Sequence, residues 1–137
     1  MDDVITNKIT TIKRCVQRIE EEFVSEPEFR SNFTKQDSVI LNLQRACEAC
    51  IDIANHLIRQ HTLGVPQSVR DSFTLLEKNG VISAATSDYL KRMVGLRNIA
   101  VHDYQVLNLD IAIAVVEKHL SDFEIFYKES ANFERLN

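Results

Sequence analysis

Two prolines, three glycines and no tryptophan are spread over 137 residues. So little proline and glycine excludes collagen-like, linker-rich and hairpin-rich all-β chains. No apolar run approaches the ~20 residues of a membrane span, and the opening Met1-Asp2-Asp3-Val4 lacks the basic start and apolar stretch of a signal peptide. A cytoplasmic protein with no membrane partner is therefore expected. Three cysteines, an odd number, fit reduced thiols in that compartment better than a disulfide framework. Positive charge is also short. Sixteen Lys and Arg face twenty Asp and Glu, a net charge of −4, which argues against binding nucleic acid by bulk charge but leaves room for a local basic site.

What is present is an ordinary globular composition, 45% apolar and 26% charged. The length suits one domain over residues 1–137, with a radius of gyration of roughly 14 Å and enough chain to bury a core without a metal or disulfide staple. Apolar residues recur three and four apart almost from end to end, the spacing of a helix with one buried stripe. Ile5, Ile9, Ile12, Val16, Ile19 and Phe23 predict a helix over about 3–24, and Pro27 breaks the pattern. Ile40, Leu43, Cys47, Cys50, Ala54 and Leu57 predict a second over about 35–62, with Thr34 and Asp37 as a loose capping box. A short helix capped by Ser68 carries Val69, Phe73 and Leu76 inward and stops at Gly80. A fourth starts at Ser83 or Ser87 with Leu90, Met93, Val94 and Leu96 apolar. Residues 98–107 fit no clean pattern. Asn108 caps a last helix with Leu109, Ile113, Val116, Leu120, Phe123 and Tyr127 on one face, and the tail after about 130 is expected to fray. The fold class is all-α, an antiparallel bundle of four to five helices.

Most residues that suggest chemistry have simpler explanations. Cys47 and Cys50 form one C-x-x-C in mid-helix on a buried stripe, and Cys15 is the sole further thiol, so they read as core packing rather than a metal or redox pair. His56 and His61, five apart on one helix, point about 140° away from each other and do not converge on a metal. His119 lies at the edge of its helix. Glu48 and Asp52, four apart on one face, offer a paired-carboxylate site, but salt links with Arg45 or with arginines of the next helix are expected instead. No metal site and no cofactor are expected.

The segment Lys91-Arg92-Met93-Val94-Gly95-Leu96-Arg97-Asn98-Ile99-Ala100-Val101-His102-Asp103-Tyr104 differs. It gathers three cations, an imidazole, a carboxylate and a phenol in an otherwise acidic chain. An imidazole that titrates near ~6.5 takes or gives protons at neutral pH, and a guanidinium stays charged and grips two phosphate oxygens at once. Arg97-x4-His102-x-Tyr104, within the phrase from Leu96 to Tyr104, resembles the R-x4-6-H signature of the HEPN superfamily, in the HepT toxin branch where it often reads R-x4-H-x-Y. Chain length, helical organisation and the position of the motif before the last long helix match that branch, and no motif position departs from it.

The resemblance implies a HEPN-like fold and a metal-independent endoribonuclease toxin of type VII-like character. Arg97 would be the electrostatic clamp and His102 the general base or acid. It implies a homodimer whose paired motifs form one cleft, with RNA as substrate. It also implies an MNT-type nucleotidyltransferase antitoxin that attaches AMP to Tyr104. Lys91, Arg92 and Asn98 are candidate contacts to RNA phosphates, and Asp103 is a candidate for orienting the imidazole. The alternative is a non-catalytic HEPN-like module that docks a nucleotidyltransferase and helps hold its nucleotide or substrate. Geometry adds one constraint. On an unbroken helix Arg97 and His102 point about 140° apart while Arg97 and Tyr104 lie within about 20°. Either the helix ends or bends between Asn98 and His102, or two chains supply the pair.

Overall fold

The stripe from Ile40 to Leu57 becomes the central element. In the computed structural model, which describes residues 2–137, helix α3 spans Phe33–His61. All six stripe residues are buried, and Val39, Ala46, Ala49 and Ile53 beside them are buried as well, so α3 is covered on more than one side. Helix α1 (Asp3–Glu22) makes the most extensive pairing with it. Helices α4 (Val69–Lys78), α5 (Ala84–His102) and α7 (Leu120–Leu136) also pack on α3. Helix α1 docks through Ile5, Ile9, Ile12, Cys15 and Ile19, none more than 8% exposed. At about 1.5–3 kcal/mol per fully buried aliphatic side chain, this burial outweighs the solvent-exposed Lys8–Asp52 ion pair between the same helices (2.8 Å), a class worth about 1 kcal/mol or less.

Side-chain caps set most boundaries. Asp2 accepts from the Val4 amide at 2.7 Å, Ser68 from Asp71 at 3.1 Å, Ser83 from Thr86 at 3.1 Å and Asn108 from Asp110 at 2.8 Å. Each occupies one of the amides that a helix start leaves unpaired. The cap of α3 is Asn32, accepting from Lys35 at 3.0 Å, rather than the Thr34–Asp37 pair.

Seven α-helices form among the described residues, more than the four to five expected. Pro27 does not merely interrupt: it sits in the first turn of a short helix α2 (Glu26–Ser31), where its missing N–H is no loss, and Ser25 caps it. The predicted last helix is two, α6 (Leu109–Lys118) and α7, separated at His119, whose φ of −131° leaves the helical region. The residues after 130 do not fray. Helix α7 continues to Leu136, Ser130 and Ala131 are buried, and Glu134 Oε2 pairs with His61 Nε2 at 3.0 Å. Glu129 adds a second anchor, accepting from the Ser83 amide at 3.0 Å and from the Thr86 hydroxyl. Val69, expected inward, is 37% exposed. No described helix is long and apolar enough to cross a membrane.

The cysteines behave as core residues. Cys15, Cys47 and Cys50 are buried and unbridged. Burial pushes the Cys47 thiol up to about 12 and raises Cys15 and Cys50 too, so all three pack as small, protonated, apolar groups.

Candidate active site

Helix α5 is continuous through Arg97, Asn98 and His102 and stops at Asp103. There is no end or bend between Asn98 and His102, so at 100° per residue the two motif side chains leave the helix about 140° apart. Arg97 lies on the side of Leu90 and Val94, both buried. Its Nε is enclosed with no hydrogen-bond partner among the described residues. Its charge opposes the upward shift of the Cys47 thiol, which puts the guanidinium beside α3. An enclosed N–H left unpaired costs about 1–3 kcal/mol.

His102 is the last helical residue and is exposed. Three of the four histidines pair a ring nitrogen with a carboxylate: His56 with Asp2 at 3.1 Å, His61 with Glu134 at 3.0 Å and His119 with Asp122 at 3.0 Å. His102 has no such partner among the described residues. Asp103 does not orient it within this chain. Its backbone N–H closes α5 onto the Ile99 carbonyl at 2.9 Å, and no hydrogen bond joins it to the imidazole among the described residues.

Tyr104 is not on the helix, so it does not share a face with Arg97 as an unbroken helix would require. It opens a 3₁₀ turn (Tyr104–Val106), and its hydroxyl donates to Asp37 Oδ1 of α3 at 2.6 Å. Burial and the neighbouring carboxylate both raise the phenol above its ordinary value, burial more. The residue is still 40% exposed. The other two tyrosines are less available: the Tyr89 hydroxyl is enclosed, and Tyr127 is half-buried beneath Lys13, whose Nζ lies 5.5 Å from the ring centre.

Lys91, Gly95, Asn98 and His102 fall at successive turns on one face of α5, within an arc of about 60°. Arg92 is off that arc and ion-paired with Asp88 at 3.1 Å, on a strongly exposed surface. Of the three candidate phosphate contacts, Lys91 and Asn98 share the His102 face and Arg92 does not. Two residues outside the motif join the site. Asp37 was expected to help begin a helix and instead holds the Tyr104 hydroxyl. Arg70, from α4, lays its side chain across Gly95. Its Nε donates to the Lys91 carbonyl at 3.2 Å, and a Cβ at position 95 would meet its Nη2 at 2.9 Å. A glycine inside an otherwise good helix was the available sequence signal for that close approach. Glu48 and Asp52 are not a catalytic pair: Gln44 donates to Glu48 at 3.1 Å, and Asp52 binds Lys8 rather than an arginine.

The all-helical bundle is that of HEPN toxins, here with Arg97 and His102 on α5 and Tyr104 in the turn after it. Residues 12–130 match the "Ribonuclease HepT-like" family model, and the chain belongs to that family. It is 65% identical, over 126 residues, to the mRNA nuclease HepT of Shewanella oneidensis, covering 92% of this chain and 95% of that protein. A solved structure of the tri-AMPylated HEPN toxin of Shewanella oneidensis in complex with MNT antitoxin superposes with a TM-score of 0.93 at 62% identity, over 96% of this chain and 99% of that one. A crystal structure of a toxin–antitoxin with AMP-PNP gives a TM-score of 0.90 at 62% identity, over 95% and 99% respectively.

Proposed function

We propose that this chain is the toxin of a toxin–antitoxin pair, a homodimeric endoribonuclease that cleaves RNA without a metal ion and is silenced when a nucleotidyltransferase antitoxin attaches AMP to Tyr104. The observation that supports it most is the continuity of α5. Arg97 and His102 diverge within one chain, and neither is tied to a carboxylate there: no ion pair or hydrogen bond to one holds the guanidinium or the imidazole among the described residues. Two copies meeting about a two-fold axis bring one chain's Arg97 toward the other's His102, and the arrangement repeats by symmetry.

In that cleft the ribose 2′-oxygen attacks the adjacent phosphorus. The P–O bond to the next nucleotide breaks, leaving a cyclic phosphate and a free 5′-hydroxyl. His102 takes the proton from the attacking oxygen or gives one to the leaving oxygen, and Arg97 neutralises charge gathering on the non-bridging oxygens. Lys91 and Asn98, on the His102 face, would hold phosphates of the RNA strand.

Tyr104 suits a silencing site because it is both accessible and two residues from His102. A phosphodiester there sets negative charge and bulk where the RNA phosphate must approach. Purified protein is expected to cleave RNA in the presence of EDTA. Cleavage that stops on chelation would refute metal independence, and equal background in wild type, Arg97→Ala and His102→Ala would leave the docking module in its place.

A further inference from the structure

Resting on the reading of Tyr104 as the acceptor of AMP, we infer that Asp37 is the general base of that modification, the group that takes the phenolic proton as the tyrosine oxygen attacks the nucleotide. The contact that carries this joins parts of the chain 67 residues apart: the Tyr104 hydroxyl donates to Asp37 Oδ1 at 2.6 Å, with both residues exposed to an incoming enzyme. A general base must lie within about 2.6–3.2 Å of the atom it deprotonates. The carboxylate nearest in sequence, Asp103, makes no hydrogen bond to the Tyr104 hydroxyl among the described residues.

The step balances as follows. The phenolic oxygen bonds to the α-phosphorus of a nucleoside triphosphate held by the transferase, the bond from that phosphorus to pyrophosphate breaks, and pyrophosphate leaves with the electron pair. The phenolic proton passes to the Asp37 carboxylate and from there to water. Tyr104 is held above its ordinary ionisation range by burial and by Asp37 itself, so almost none is phenolate beforehand and the proton has to move during attack. Once the ester forms, the oxygen has no hydrogen to donate, and the new phosphodiester faces a carboxylate of like charge. The turn Tyr104–Val106 then loses its tie to α3. An AMP added to a ribose hydroxyl of the one before would lie beyond the reach of Asp37, so along such a chain only the first addition would depend on it.

The test compares Asp37→Asn, Asp37→Ala and Tyr104→Phe with wild type. Each is incubated with an MNT-type nucleotidyltransferase and ATP, and AMP addition is followed by intact mass after melting curves show the variants fold. Asparagine still accepts the tyrosine hydrogen bond but cannot take the proton. First-AMP addition to Asp37→Asn and Asp37→Ala is expected to fall alike by about 10²–10⁴-fold, the usual contribution of a general base. In both, the first-addition rate should climb more steeply with pH than in wild type, because attack must then draw on the small phenolate fraction, which grows as the pH rises. Second and third additions should keep their rates. A normal rate for Asp37→Asn with a slow Asp37→Ala would make Asp37 a tether and overturn the inference. Normal rates in both would overturn it too. Labelling that persists in Tyr104→Phe would instead remove the reading beneath it.

Discussion

Mixing Arg97→Ala chains with His102→Ala chains is expected to restore RNA cleavage that neither has alone. Each variant by itself should be nearly inactive. Removing a proton-transfer group costs about 10²–10⁴-fold, and removing a charge-stabilising donor about 10²–10³-fold. In a mixed dimer one of the two Arg97–His102 pairs across the cleft receives both alanines. The other receives the intact Arg97 of one chain and the intact His102 of its partner. If subunits exchange at random, half the dimers are mixed and one of the two Arg97–His102 pairs in each is whole, so about a quarter of wild-type activity should return. The assay is single-turnover cleavage after co-refolding or long co-incubation. No recovery, with exchange verified by a mass-tagged subunit, would mean both groups act within one chain, against the 140° divergence along α5.

Tyr104→Phe is expected to accept no AMP and to stay toxic in the presence of the antitoxin. The change keeps the ring and removes the single hydroxyl that is both exposed and beside the motif. Intact mass after co-expression should lack every added AMP unit, and growth should be arrested where wild type is tolerated. Modification mapped to Tyr89 or Tyr127 would refute the assignment. The enclosed Tyr89 hydroxyl and the half-buried Tyr127 ring both argue against that outcome.

The helical stripes were legible because burial imposes a period that the sequence must keep. Ile5, Ile9, Ile12 and Ile19, and the stripe from Ile40 to Leu57, are buried as their spacing requires, while Val16 is half-buried and Cys15 beside it takes the inner place. The break at His119 was invisible for the same reason: Ile113, Val116, Leu120 and Phe123 keep three-and-four spacing straight across it, so one non-helical residue leaves no mark on the pattern. The ordered end of α7 was hidden because Glu129, Ser130 and Glu134 look like a solvated tail. They are held by partners 46, 43 and 73 residues away or by burial, which no local pattern encodes. The motif itself was readable as a phrase, whereas its neighbours were not. Asp37 and Arg70 reach it from α3 and α4 through contacts that exist only once the bundle has closed.

Gly95 has a consequence for how an acidic chain would keep hold of a polyanion. Where a side chain would strike the guanidinium, its bare backbone lets Arg70 lie down on the His102 face, so cations from separate helices are pooled within about two to three turns of the imidazole. A strand settling there would expel the small ions gathered around its phosphates, and its grip would therefore slacken steeply as salt is added. The bundle beneath, joined by oily side chains instead of charge, would scarcely notice.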